Sequence, residues 1–211
     1  SSAYGIDLLT VDGAGGGTGM SPWHMMNEWG VPPVELQSLL YRYGRQLADQ
    51  DRPLPTMALA GGCVVEDEIF KGLARGEPFV KLIGMARSPI APAMVGKTIG
   101  RNIDDGEIPV NLERFGRTRD EIFVTSAELR QKLGNEAFER LPTGAIGLYT
   151  YSERLAQGLR QLMCGSRKFA MEHISRDDLA CLTHEAAEVS GIRYMLDVDS
   201  ELVEGILNGK Q

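Results

Sequence analysis

Three short apolar runs set the rhythm of the first half of the chain, and each ends in glycine. Residues 5–12 lead into Gly13, Ala14, Gly15, Gly16, Gly17, Thr18 and Gly19. Residues 56–60 end at Gly61-Gly62, and residues 79–83 end at Gly84-Met85-Ala86. Short runs of this kind, apolar without strict alternation, predict strands buried in a parallel sheet. Glycine after such a strand allows positive φ and a close backbone approach. One such junction is explained by a tight strand-to-helix turn. Three in succession predict loops that converge on one ligand at the C-terminal edge of the sheet.

Helical periodicity fills the intervals. Leu36, Leu39, Leu40, Tyr43 and Leu47 predict a helix behind Pro32-Pro33. Glu66, Asp67 and Glu68 open a second, favourably placed at its positive end, and Gly76 closes it. A strand, this helix and the next strand form a βαβ unit with parallel pairing and a right-handed crossover. Ser88-Pro89 predicts a cap and first helical turn, which places residues 85–88 at a helix N-terminus suited to phosphate. The charged stretch 102–121 reads as an irregular excursion. Residues 127–132 and 151–164 predict helices, the latter with Leu155, Leu159, Leu162 and Met163 on one face. Ser175 to Asp178 resembles a capping box, and Leu179, Leu182, Ala186 and Val189 continue it as a helix up to Gly191. The expected organisation is late βα units over 1–101, the excursion over 102–150 and a helical tail over 151–211.

Composition narrows the function classes. A net charge of −7 gives no basic surface for nucleic acid. No apolar stretch reaches the roughly 20 residues of a membrane span, and no signal-peptide pattern opens the chain. The start at Ser1-Ser2-Ala3, without methionine and close to a strand, reads as a fragment or a processed chain. Cys63, Cys164 and Cys181 are odd in number and lack metal-ligand spacing, so they are expected to be reduced thiols, without metal, in a cytoplasmic protein.

Familiar motifs fail on inspection. Gly96-Lys97-Thr98 suggests a P-loop, but Ala91 stands where the first glycine is required. The dinucleotide fingerprint counted from Gly13 meets Thr18 at its third glycine. His24, His173 and His184 are scattered, and Asp177 and Asp178 are explained by capping. Lys97 and Arg101, one helical turn apart, suit either a phosphate or a solvated face. The cluster of Trp23, Met25, Met26 and Trp29 suits either core packing or a ligand cover.

VDGAGGGTG, ALAGG and IGMA resemble strand ends of the FMN-binding domain of glutamate synthases, and FERLPTGAIGLYTYSERLAQGLRQLMCGSRKF and ISRDDLACLTHEAAEVSGI resemble the tail of the FMN-binding glutamate synthase-like proteins. The resemblance covers nearly the whole chain. It implies an α/β fold made of the later strands of a (β/α)8 TIM-type barrel, followed by a mainly helical C-terminal tail. It also implies FMN as cofactor. By resemblance, Gly61 and Gly62 follow the seventh strand and offer amides to the FMN phosphate. Gly84, Met85 and Ala86 follow the eighth and close that site. Asp12 and Gly13 follow the sixth, nearer the substrate and isoalloxazine.

The implied reaction is reductive amination of 2-oxoglutarate through 2-iminoglutarate to glutamate, with ammonia free or drawn from glutamine. Two departures accompany the match. Gly15 stands where the family commonly has glutamate, and residues 85–101 lack the cysteines of an iron–sulfur cluster. No acid or base in the chain is nominated as catalytic. The earlier barrel strands are expected from a second chain or replaced by self-association. The alternative is a non-catalytic remnant that serves as an assembly or binding module.

Overall fold

The computed structural model describes residues 5–16 and 20–209; Gly17, Thr18 and Gly19 of the glycine run, and residues 1–4, lie outside them. The chain forms two compact units, one of residues 1–84 with 159–211, the other of residues 85–158. In order, the elements are β1 (Leu8–Asp12), α1 (Trp23–Asn27), α2 (Pro33–Asp49), β2 (Thr56–Ala60), α3 (Glu66–Gly76), β3 (Val80–Gly84), α4 (Arg87–Asp105), α5 (Val110–Glu113), α6 (Arg119–Ile122), α7 (Ser126–Leu133), α8 (Asn135–Glu139), α9 (Thr143–Gly165), α10 (His184–Ser190) and α11 (Ser200–Leu207).

The first unit is built on one parallel sheet in the order β1-β2-β3. β2 lies in the middle, and its Met57, Ala58 and Leu59 are buried. Met57, Leu59, Phe79 and Val80 pack against Leu36, Leu40 and Tyr41, so α2 covers one face. α3 brings Phe70, Leu73 and Ala74 together with Met163 and Ile174. The last turns of α9 and the segment after it thus complete this unit's core. Buried Gln37 donates from Nε2 to the Gly72 carbonyl at 2.6 Å and ties α2 to α3.

The barrel expected from the strand–glycine pattern does not form. Among the described residues there are three parallel strands in a single sheet, and the structure is 58% helical. This is not the later part of a TIM barrel. The physical reason lies in the range of the signal. A strand, a glycine turn and a helix dictate a local parallel pair and its crossover. They do not dictate closure, which demands a full ring of strands with matched tilt and stagger.

The second unit is all helical. Phe123, Leu129, Phe138 and Ile146 form its core with Ile99, Ile103, Leu141 and Tyr149. α4 and the first half of α9 cross at small residues. A Cβ on Gly96 would come 2.6 Å from the Thr143 carbonyl oxygen, and one on Gly147 would approach the Pro92 carbonyl to 2.3 Å. The glycines of Gly96-Lys97-Thr98 and Gly100 therefore serve helix packing.

Candidate functional site

The parallel register puts Asp12, Ala60 and Gly84 in one row across the sheet's C-terminal end. With strands about 4.8 Å apart, the three loops leave the sheet within about 10 Å of each other. Of the residues expected to form one site, the register brings Asp12, Gly13, Gly61, Gly62 and Gly84 to this one end of the sheet. Met85 and Ala86 are the first residues of the second unit, where Ala86 is the N-cap of α4. Ser88, expected to cap this helix, lies inside it.

The loop after β1 is held by its own amides. Gly13 donates to the Ala60 carbonyl at 3.0 Å, Ala14 to Val31 at 2.8 Å, Gly15 to Met26 at 2.7 Å and Gly16 to Gly13 at 2.9 Å. α1 and the turn after it are thereby fastened onto the glycine loop. Gly30 is part of that joint, since a Cβ there would come 2.6 Å from the Ala14 Cα. The role of residues 26–31 was missed in the sequence, where only the Gly30 punctuation before Pro32-Pro33 hinted at it. Asp12 folds its carboxylate against the loop: an added Cβ on Gly16 would lie 1.9 Å from Oδ1.

The loop after β2 has a different character. Gly61 and Gly62 both adopt positive φ, +95° and +79°. A Cβ on Gly61 would meet the Gly13 amide nitrogen and carbonyl oxygen at 2.9 Å, whereas one on Gly62 would find nothing nearer than 3.7 Å. Gly61 is glycine for the loop's internal packing. A Cβ on Gly62 would be in ordinary contact with the Ala14 carbonyl oxygen and Pro33 Cγ, so its glycine answers to the positive φ alone. A Cβ on Gly84 would press on the Ala60 Cβ at 2.9 Å, so β3 also reaches this edge without a side chain.

The electrostatics separate the helix ends. Glu68 Oε2 accepts from the amides of Val64 and Val65, at 2.5 and 3.1 Å. The carboxylate of Glu68 thus closes the turn that leads into α3. The hydrogen bond from Lys71, at 2.7 Å, holds the Asp67 carboxyl below its usual range. Burial, followed by the Glu68 charge, pushes the Cys63 thiol above its ordinary value, so it stays protonated near neutral pH.

The other singled-out groups lie elsewhere. His24 pairs with Glu28 at 3.1 Å and stacks on Trp23, and the His184 ring faces Tyr194 at 4.1 Å. Asp178 accepts from the Ser175 amide at 2.8 Å and faces Lys168 at 3.5 Å, a capping role as expected. The helix expected to run on from it is interrupted: residues 176–178 make one 3-10 turn, and α10 starts afresh behind Thr183. Among the described residues no group of three or more His, Cys, Asp or Glu is placed to hold a metal, and no helix is long and apolar enough to cross a membrane.

Gly61, Gly62 and Gly84 fit a phosphate group in kind: backbone without Cβ, at the carboxyl ends of parallel strands. No family model, no curated protein and no solved structure matches the chain.

Proposed function

We propose that the chain binds the phosphate end of FMN on the backbone of Gly61, Gly62 and Gly84 and works as part of a glutamate synthase-like oxidoreductase. The observation that carries this reading is the positive-φ backbone of Gly62, where a Cβ would clash with nothing, beside residues 13–16, whose amides are already committed. The family resemblance of the same glycine segments supplies the identity of the cofactor. Met85 and Ala86 follow Gly84 directly and belong to the proposed cofactor-binding segment.

Bound flavin would supply the two-electron chemistry that reduces 2-iminoglutarate, formed from 2-oxoglutarate and ammonia, to glutamate. This chain's part is to fix the phosphate and orient the cofactor. Asp12 and Gly13 would line the substrate side, with Asp12 shaping the glycine loop against which a ligand rests. β1 and β3 each leave one edge unpaired among the described residues. A second chain, or self-association, covers those edges in this reading. Three free thiols favour a reducing compartment, the cytoplasm.

One observation favours a second reading, a non-catalytic binding module. At Gly15 the chain has no side chain to orient a substrate, and the amide there is spent on Met26.

FMN titration of the whole chain tests the proposal. Asp and Asn both tolerate positive φ and have nearly the same shape, but only Asp repels phosphate. Gly62→Asp should weaken FMN binding at least tenfold more than Gly62→Asn. Equal affinity of the two folded variants would remove the phosphate from Gly62. Flavin binding without glutamate formation from 2-oxoglutarate and ammonium, under a chemical reductant and with any copurifying chain present, would favour the module.

A further inference from the structure

The C-terminal helix α11 exposes an apolar stripe that nothing among the described residues covers. None of its eight residues is buried. Leu202 is 64% exposed, Ile206 66% and Leu207 80%. A helix this short does not hold itself together in water, so its apolar face calls for a partner surface. Its N-terminal end is acidic, with Asp197 and Asp199 just before it and Glu201 in its first turn.

The second unit carries a groove of about 1000 Å³ alongside α4 with the complementary layout. Ile90, Met94, Lys97 and Arg101 follow one another at steps of four, three and four, and so share one face of α4. Ile90 and Met94 are 57% and 62% exposed, and Leu148 of α9 adds to the apolar end. Lys97 and Arg101 form no ion pair among the described residues. Arg119, at the same groove, is by contrast spent on the carbonyls of Phe138, Glu139 and Leu141. Asp104 and Asp105 close the far end.

We propose that this groove receives α11 of a second copy of the chain, docked antiparallel to α4. Antiparallel docking sets Asp197 and Asp199, which precede the helix, against Arg101 and Lys97, and Leu202, Ile206 and Leu207 against Met94 and Ile90, while Glu201 lies on the opposite face of α11. Parallel docking would set the acidic end against the apolar wall and the leucines against cations. Lengths agree: Ile90 to Arg101 spans about 16 Å and Asp199 to Leu207 about 12 Å at 1.5 Å per residue. Asp104 and Asp105 repel the acidic end and stop it from sliding further along α4. Reciprocal exchange would give each dimer two such contacts.

Sedimentation of the whole chain tests this. The expected result is a concentration-dependent dimer that weakens with salt. Lys97→Glu with Arg101→Glu should yield a monomer, as should Asp197→Lys with Asp199→Lys. Mixed in equal amounts, the two variants should dimerise again, because each groove then meets an α11 of opposite charge. All four positions are on the surface, and circular dichroism would confirm that each variant is folded. A chain monomeric at every concentration, variants that dimerise like the parent, or a mixture that stays monomeric would each overturn the proposal. So would a monomer whose groove binds a fatty-acid anion or an unrelated acidic amphipathic helix.

Discussion

The guanidinium of Arg176 lies over the ring of Tyr41, its Cζ 3.8 Å from the ring centre. The same group donates to the Arg75 carbonyl at 2.6 Å and to the Ser190 carbonyl. One side chain thereby joins α2 to the C-terminal ends of α3 and α10. Lysine keeps the charge but has neither the planar fork nor the stacking face. Arg176→Lys should therefore cost about 2 kcal/mol in urea unfolding, the range for charge-assisted bonds to buried acceptors. Tyr41→Leu should cost about 1 kcal/mol. In the double variant the two losses should fall short of additive, which a double-mutant cycle would read directly.

The α4–α9 crossing makes a prediction of sign. In an exposed helix, Gly→Ala stabilises by about 1 kcal/mol. At Gly96 the new Cβ would come 2.6 Å from the Thr143 carbonyl, which is backbone and cannot step aside. Overpacking of this kind costs about 1–3 kcal/mol and wins. Gly96→Ala should lower the melting temperature of the second unit. At Gly100 the obstacle is the Thr143 side chain, with Oγ1 at 2.0 Å. The Thr143 Cβ stands 2.7 Å away as well, so Thr143→Ala should rescue Gly100→Ala only in part, Thr143→Gly should relieve the clash fully, and neither should rescue Gly96→Ala.

Local patterns were read well from the chain and long-range ones were not. The apolar run of β2 and the acid-to-glycine span of α3 have the bounds expected, because their signals are contiguous. α9 begins at Thr143, earlier than its leucine periodicity predicts. Its first turn is fixed by distant contacts, where Gly144 and Gly147 admit the carbonyls of Ala93 and Pro92 of α4. The irregular reading of 102–121 misses the end of α4 and the short α5 and α6. The helix expected across Leu182 fails because Cys181 is drawn into a parallel bridge with Tyr194, and Thr183 then caps a new start. At the site, the glycines after each strand were legible. The fastening of residues 26–31 onto the glycine loop was not, since those bonds run between backbone atoms.

The turn before α6 gives a pH dependence. Glu121 Oε2 accepts from the amides of Arg117 and Thr118 and from the Thr118 hydroxyl, at 2.9, 3.0 and 2.8 Å. These bonds, first the one from Arg117, hold its carboxyl below the ordinary glutamate range. The folded value is depressed, so the unfolded chain takes up the proton first as pH falls. The stabilising contribution is whole above the ordinary glutamate range and is lost as pH falls through the folded value. Glu121→Gln should flatten the acid limb of the stability curve of this unit, followed by circular dichroism between neutral and acidic pH.

The thiols should separate kinetically. Cys164 is exposed, while Cys63 is part-buried with its thiol raised by burial and by Glu68. Only the thiolate attacks an alkylating reagent, so a raised value and reduced access both slow Cys63. Mass spectrometry after brief iodoacetamide treatment at mildly alkaline pH should find Cys164 modified first. Glu68→Gln should speed Cys63, because it removes one of the two causes. An unaltered order of reaction with Cys63 in front would show that its surroundings are more open than the fold places them.

Gly61 and Gly62 are adjacent and both carry positive φ, yet they should respond differently to the same change. Alanine at either position pays for the left-handed backbone, about 1–2 kcal/mol. At Gly61 the Cβ would additionally press on the Gly13 amide and carbonyl at 2.9 Å and on the Asp12 carboxylate at 3.0 Å. These atoms hold the first glycine loop to the end of β2 through the Gly13–Ala60 hydrogen bond. At Gly62 no atom lies within 3.7 Å, so only the backbone cost remains. Gly61→Ala should therefore destabilise the chain by at least about 1 kcal/mol more than Gly62→Ala in denaturant unfolding. Ligand binding should reverse the ranking. Gly62→Ala keeps the fold but places a methyl group beside the proposed phosphate position, so FMN affinity should fall further per unit of stability lost. If Gly62→Ala left flavin binding untouched while Gly61→Ala abolished it along with the fold, Gly62 would be a turn residue alone.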